Sequence, residues 1–246
     1  KNNSVLPLEQ DTRRIFVTGP NADNARIMGD WTSRQPEENV TTIYEGIQNI
    51  APRDVQVDYL DVGDEFHAIS ASAMQKARER AEDAEVAVVV VGENSLRYQD
   101  NNTCGENTAR ANIKLVGKQL ELVKTVAKSG TPLVVVLVNG RPLGITWIAE
   151  HVPAILETWE PGAEGGRAFA EILFGKVNPS GKLPITIPQS AGQIQMIYNH
   201  KPPQEFRDYY EMPSSPLYHF GYGLSYTNFE YAELRLEDST ISPADR

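Results

Sequence analysis

The sequence predicts an α/β protein, a three-layer αβα sandwich with a mostly parallel sheet, followed by the start of a C-terminal β module. Two segments, residues 86–91 and 133–138, are apolar at every position, which is typical of strands buried on both faces. Helical and strand-like segments alternate from about residue 14 to residue 188. This alternation predicts parallel strands with helices on both faces of the sheet.

The first half of the chain contains three strand and two helix signals. A helix is predicted where Ile43, Ile47 and Ile50 share one face behind a possible Thr42 N-cap. Alternating apolar residues predict the second strand, and charged residues with inward Ala and Met predict the second helix. The predicted elements are a strand at 14–18, a helix at 41–50, a strand at 55–62, a helix at 70–85 and a strand at 86–91.

The second half continues the same pattern. Apolar residues at core spacing predict a helix that ends at Ser129-Gly-Thr-Pro132, and Gly175 is suited to the C′ position of the last helix. Two prolines in residues 183–188 exclude a central strand there and favour an extended segment at an edge. The predicted elements are helices at 115–127, 145–150 and 164–174 and strands at 133–138 and 154–159.

The C-terminal segments differ in composition from the rest of the chain. Residues 189–227 are rich in Tyr, Pro, Gly and Asn without a sustained period, and we interpret them as an ordered extension that wraps the sheet. Residues 229–236 alternate imperfectly between apolar and polar. They predict the first strand of a further β module, which would occupy residues 228–246.

Composition excludes several classes of function. The net charge of −10 over 246 residues argues against nucleic acid and anionic membranes as partners. Cys104 is the only cysteine and the four histidines are scattered, so no disulfide, metal cluster or cofactor is expected. No phosphate-binding loop, dinucleotide fingerprint or Gly-x-Ser-x-Gly motif occurs, and no apolar run reaches the ~20 residues of a membrane span.

Two glutamates follow the strand at 86–91, in a loop longer than most connections of this kind. In parallel sheets, ligands bind beyond the carboxyl ends of the strands. Glu93 follows the strand directly, and we interpret it as a carboxylate that fixes backbone amides of the loop. Two interpretations of Glu106 are open: it is either a solvated acidic residue of the loop or a general acid/base.

Aromatic and basic residues near this loop are candidates for ligand binding. Trp31 is flanked by Gly, Asp and Thr, which predicts an exposed ring suited to stacking on a sugar. Arg97 and Arg110 flank the acidic segment. They are candidates to pair with Glu93, with Glu106 or with a substrate.

Seven motifs in order resemble the second domain of glycoside hydrolase family 3 enzymes, the β-glucosidases and their relatives. The similarity covers about residues 1–230. It implies an αβα sandwich that follows a (β/α)8 barrel and often precedes a fibronectin-like domain, so that residues 1–13 link from the barrel. The motifs are Gly29-Asp-Trp31-Thr, Val88-Val-Val-Val-Gly-Glu93, Glu106-x-x-x-Arg110, Asn139-Gly-Arg-Pro142, Gly162-Ala-Glu-Gly-Gly166, Asn178-Pro-Ser-Gly-Lys-Leu-Pro184 and Phe220-Gly-Tyr-Gly-Leu-Ser-Tyr226.

The resemblance implies a retaining hydrolase of terminal β-D-glucosyl residues, periplasmic or secreted, whose Asp nucleophile comes from the barrel. It implies Glu106 as the acid/base, at about 5–5.5 Å from the nucleophile. It implies Trp31 as a sugar platform, with Arg97 and Arg110 as substrate contacts. This chain alone is then expected to be inactive. The alternatives are a non-catalytic carbohydrate-binding or interaction module of the same fold and an unrelated flavodoxin-like receiver or binding domain, for which Asp61 is a poor phosphoacceptor.

Overall fold

The computed structural model describes residues 1–193, 195–199, 207–235, 240 and 242. Its centre is a five-stranded sheet in which all neighbouring strands are parallel, with the order β2-β1-β3-β4-β5. The predicted fold class is confirmed. The strands are β1 (Arg14–Thr18), β2 (Gln56–Leu60), β3 (Val86–Gly92), β4 (Leu133–Val138) and β5 (Ala154–Trp159).

The strand order places a reversal of direction between β1 and β3. The chain moves from β1 outward to β2, returns to β3 on the other side of β1, and then continues to β4 and β5. At such a reversal, the loops after the two central strands diverge and leave a crevice at the carboxyl edge of the sheet. The fold therefore provides a place for a ligand beside the loops after β1 and β3.

Helices cover both faces of the sheet, as the alternating pattern predicts. One core packs α1 and α5 against alternate strand residues, including Ile15, Val88 and Val136. The other packs α2, α3 and α4 against the intervening residues, including Phe16, Val89 and Val135. The helices are α1 (Ile43–Ile50), α2 (Ala71–Glu82), α3 (Gln119–Ala127), α4 (Thr146–His151) and α5 (Gly165–Leu173).

The glycine-rich segment before α5 brings that helix against α1. A Cβ on Gly166 would lie 1.9 Å from the carbonyl oxygen of Thr42, and a Cβ on Gly46 would lie 2.0 Å from the carbonyl oxygen of Gly166. Thr42 also caps α1, since its Oγ1 accepts a hydrogen bond from the Glu45 amide at 3.2 Å. The glycines thus permit close contact between two helices.

Helix α3 begins four residues later than the predicted start at residue 115. Gly117 has a φ of 63°, and the Lys118 amide donates a hydrogen bond to the Phe66 carbonyl at 2.7 Å. Residues 115–118 are therefore held against the segment that contains Phe66, outside the helix. Leu115 still packs against the core, which explains its apolar character.

Two predicted strand-like segments differ from the structure. Residues 183–188 do not join the sheet; Ile187 forms an isolated antiparallel bridge to Tyr218 instead. The prolines of this segment lack the amide hydrogens that a ladder needs. Residues 229–235 form no strand, and residue 236 lies outside the described residues.

The terminal segments contact both cores of the domain. Leu6 and Leu8 are buried with the α1–α5 core, and Asn2 forms an antiparallel bridge with Ala154 of β5. In the C-terminal extension, Tyr218 packs on one core and Tyr226 on the other. No helix in the described part of the chain is long and apolar enough to cross a membrane.

Candidate active site

A depression of about 570 Å³ lies at the carboxyl edge of the sheet. Four loops contribute to its lining, those that follow β1, β3, β4 and β5. Each supplies a polar or aromatic side chain: Trp31, Glu106, Arg141 and Glu160. The site therefore depends on residues that are far apart in sequence and that the parallel sheet brings together.

Glu93 lies at the base of this region, at the end of β3, and its side chain has no exposed surface. Its Oε1 is 2.7 Å from Nη1 of Arg110, and its Oε2 is 3.3 Å from Nε of Arg141. Burial raises the pKa of Glu93, and the two arginines oppose this effect. The carboxylate therefore holds the loop through two guanidinium groups. The contacts to backbone amides that the sequence suggested are not its main anchors.

The two arginines extend this contact to the rest of the loop after β3. Arg110 donates a hydrogen bond from Nη2 to the carbonyl oxygen of Lys114 at 2.6 Å. Arg141 donates from Nη2 to the carbonyl oxygens of Thr108 at 2.8 Å and Thr103 at 3.3 Å. Glu93 thereby fixes backbone positions on both sides of Glu106.

Glu106 itself is presented to solvent, with 48% of its side chain exposed. Its carboxylate accepts a hydrogen bond from Nη2 of Arg97, and its backbone amide donates to Oδ2 of Asp30 at 2.7 Å. Asp30 also accepts from Nε of Arg97 at 2.7 Å. The hydrogen bond from the Glu106 amide, assisted by Arg97, lowers the pKa of Asp30, which keeps this anchoring carboxylate ionised.

Trp31 is 80% exposed, as its polar neighbours in sequence predict. The guanidinium carbon of Arg97 lies 3.8 Å from the centre of its ring. Arg97 is thus shared by the exposed indole, the Asp30 carboxylate and the Glu106 carboxylate. A single side chain ties the candidate sugar platform to the candidate acid/base.

The structure brings three of the four predicted site residues into one cluster: Trp31, Arg97 and Glu106. The fourth, Arg110, lies below them, 17% exposed and paired with Glu93. Asp30 and Glu160 also lie at this site and were not among the predicted residues. Both had a usable signal, because Asp30 directly precedes Trp31 and Glu160 directly follows a strand, as Glu93 does.

Burial strongly shifts the pKa values of Cys104 and Glu157. Burial raises the pKa of the Cys104 thiol to about 12, with Glu93 and Glu160 nearby, so the thiol is neutral and poorly suited to act as a nucleophile. Burial raises the pKa of Glu157 to about 8; its carboxylate accepts from the Trp159 amide at 3.0 Å and lines a separate cavity beside β5. No set of three or more His, Cys, Asp and Glu side chains within the described residues could hold a metal ion.

Comparison with known proteins gives one consistent family. The family model described as the glycosyl hydrolase family 3 C-terminal domain matches residues 1–226. The chain is 36% identical over 267 residues to a periplasmic beta-glucosidase of Salmonella typhimurium, with 96% of this chain and 34% of the relative covered. It is 35% identical over 254 residues to a beta-xylosidase of Formosa agariphila, with 98% and 34% covered.

Solved structures agree with these sequence matches. The beta-glucosidase from Listeria innocua, in complex with isofagomine, superposes with a TM-score of 0.80 at 33% identity. The match covers 94% of this chain and 32% of that structure. The chain thus spans about a third of the length of the proteins that it matches.

Proposed function

The chain belongs to glycosyl hydrolase family 3, as its C-terminal domain, and from this premise we propose that it supplies Glu106 as the acid/base of a retaining β-glucosidase. The family membership inferred from the ordered motifs is confirmed. The rest of the active site, including an Asp nucleophile, would come from a (β/α)8 barrel outside this sequence. Glu106 would then stand about 5–5.5 Å from that nucleophile.

The observation that supports this role is the presentation of Glu106. Its carboxylate lines the depression and is half exposed, while the backbone around it is anchored by Asp30 below and by the arginines paired with Glu93. A general acid has to reach a group outside its own domain from a fixed position. Glu93, fully buried between arginines, has no such access.

The reaction would proceed in two steps. In the first, the Asp nucleophile attacks the anomeric carbon while Glu106 donates a proton to the glycosidic oxygen, so the leaving group departs as a neutral alcohol. In the second, Glu106 takes a proton from water as that water attacks the anomeric carbon of the glycosyl-enzyme and displaces the Asp carboxylate. The anomeric configuration is retained, and Glu106 returns to its protonated form.

Trp31 and Arg97 would form the sugar-binding surface beside Glu106. The exposed indole offers an apolar face to a pyranose ring, and Arg97 stacks on it at 3.8 Å and orients it. Arg97 is itself exposed enough to contact a substrate hydroxyl. For Arg110, the ion pair with Glu93 favours a positioning role over direct contact.

The names of the relatives guide the proposed substrate and location. The Salmonella relative is a periplasmic beta-glucosidase and the Formosa relative a beta-xylosidase. We propose a terminal β-D-glucosyl residue as the glycone, in a periplasmic or extracellular protein. We also propose that a fibronectin-like domain begins at residue 228.

The test compares this chain with the full-length protein that contains the barrel, on 4-nitrophenyl β-D-glucoside. We expect turnover with retention by the full-length protein and none by the 246-residue chain. Turnover by the chain alone would contradict the shared site, and an inverted product would contradict the double displacement. A full-length protein that binds β-glucosides without cleaving them would instead favour a carbohydrate-binding module.

A further inference from the structure

Glu160 is a third carboxylate in the depression, and neither the family motifs nor the proposed acid/base chemistry uses it. It directly follows β5, on the loop after that strand, and lines the same depression as Trp31 and Glu106. Its side chain is partly exposed. A ligand that contacts Trp31 and Glu106 would therefore also meet Glu160.

Three loops hold the Glu160 carboxylate in a fixed position. The hydroxyl of the buried Ser95, from the loop after β3, donates a hydrogen bond to Oε1. Two glycines leave room for the carboxylate. A Cβ on Gly29, in the loop after β1, would lie 2.5 Å from Oε2, and a Cβ on Gly140, in the loop after β4, would lie 2.9 Å from Oε1. The carboxylate fits a space that any side chain at either glycine would fill.

The Glu160 carboxylate also has unused hydrogen-bonding capacity. Within residues 1–193, 195–199 and 207–235, no Lys, Arg or His forms an ion pair with it, and Ser95 is its one hydrogen-bond donor. A carboxylate can accept about four hydrogen bonds. Oε2 therefore remains available to hydroxyl donors of a ligand.

We propose that Glu160 is a specificity-determining residue that accepts hydrogen bonds from hydroxyl groups of the leaving-group saccharide. The inference rests on the proposed function, in which Glu106 protonates the glycosidic oxygen. The leaving group begins at that oxygen. Because Glu106 contacts this oxygen, the other side chains that line the depression lie beside the leaving group. The anomeric carbon, by contrast, belongs to the glycone and is attacked from the barrel side.

The experiment uses the full-length protein with Glu160→Gln, which keeps the size of the side chain and removes its charge. Two substrates with the same glycone are compared: 4-nitrophenyl β-D-glucoside, whose leaving group has no sugar hydroxyls, and a β-linked glucose disaccharide. We expect kcat/KM for the disaccharide to fall roughly ten- to hundredfold, the range for a hydrogen bond to a charged group. The fall for the aryl glucoside should be at least tenfold smaller.

Glu164→Gln is the matched control, because Glu164 is an exposed glutamate on the same loop that does not line the depression. It should leave the ratio of the two kcat/KM values at the wild-type level. Ser95→Ala, which frees the Glu160 carboxylate, should shift the ratio in the same direction as Glu160→Gln by a smaller factor. This second variant keeps the charge in place and so separates positioning from charge.

The outcomes separate this inference from the proposed function. Equal losses on both substrates, or no loss on either, would overturn the role of Glu160 while the enzyme remained a β-glucosidase. A wild-type full-length protein that cleaves neither substrate would overturn both. A disaccharide-selective loss in Glu160→Gln that is absent in Glu164→Gln would support the contact with the leaving-group saccharide.

Discussion

Two glutamates of one loop, Glu93 and Glu106, have opposite surroundings. Glu93 is fully buried and paired with two arginines, and those arginines hold the loop by its carbonyl groups. Glu106 is half exposed and shares one arginine with Asp30. The difference shows how the domain separates two tasks: one carboxylate fixes the loop, and the other is presented by it.

The same comparison extends to the neighbouring strand. Glu157, on β5, is partly buried and lines a cavity beside that strand, whereas Glu160 directly after the strand lines the same depression as Glu106. The residues within the fold should therefore affect folding stability, and those that line the depression should affect activity.

The largest expected effect is on catalysis, in Glu106→Ala of the full-length protein. Removal of a general acid typically costs about 10²–10⁴-fold in rate, and the loss should be greatest on substrates with poor leaving groups. The unfolding transition should stay close to wild type, because half of this side chain is in solvent. Steady-state kinetics on a series of aryl glucosides measures the first effect, and urea unfolding the second.

Glu93→Ala should destabilise the fold. It leaves Arg110 and Arg141 without their buried partner, and breaking such a pair typically costs about 3–5 kcal/mol. The free energy of unfolding of this chain in urea measures the loss. Glu106→Ala is the matched control, because it is the same substitution on the same loop; equal destabilisation by both would remove the distinction between the two glutamates.

The pH dependence of stability should reflect the buried carboxylates. Because the pKa of Glu157 rises from 4.5 to about 8 on folding, the folded state binds more protons than the unfolded state between these values. Stability should therefore fall as pH rises from about 4.5 to about 8 and then level off. Ionised Glu157 keeps its hydrogen bonds to Trp159 and Asn139, and we expect the loss to stay within the few kcal/mol given for Glu93→Ala.

Urea unfolding at several pH values measures this slope. Glu157→Gln should flatten it, since an amide does not titrate; its one carbonyl oxygen can keep the hydrogen bond from the Trp159 amide, while the hydrogen bond from Asn139 is lost. A slope unchanged by this substitution would assign the pH dependence to other groups, with Glu93 the first candidate because burial raises its pKa as well.

The smallest expected effect is that of Arg97→Ala, which removes the contact between the Trp31 indole and Glu106, the proposed acid/base. We expect kcat/KM of the full-length protein to fall roughly three- to tenfold, as for one cation–π contact and its exposed hydrogen bonds. Arg97→Lys should recover part of the loss, because lysine keeps the charge but not the planar stack. Wild-type kinetics in both variants would show that the cluster is dispensable.

The sequence predicts the layers of this fold well, because they depend on local patterns. The all-apolar strands and the amphipathic helices are found with boundaries within a few residues. The exceptions depend on long-range contacts: α3 starts late because Lys118 bonds to Phe66, and residues 183–188 pair with the extension near Tyr218 and not with the sheet. These partners are distant in sequence, so no local sequence pattern identifies them.

At the site, too, local features were predicted and long-range contacts were not. The exposure of Trp31 followed from its immediate neighbours in sequence. The pairing of Arg97 with Glu106, and of Arg110 with Glu93, was only one of several open alternatives, because it is decided by how loops from different strands meet. Asp30 and Glu160 were missed for the same reason, although each lies beside a residue that the sequence had marked.

The most direct test of the account is rescue by azide in the full-length protein. Azide is an anion that needs no general base, so it should restore turnover of 4-nitrophenyl β-D-glucoside by Glu106→Ala and give β-D-glucosyl azide. Glu93→Ala, assayed where it is folded, should show no rescue. Rescue of Glu93→Ala, or its absence in an impaired Glu106→Ala, would contradict the assignment of Glu106 as the acid/base.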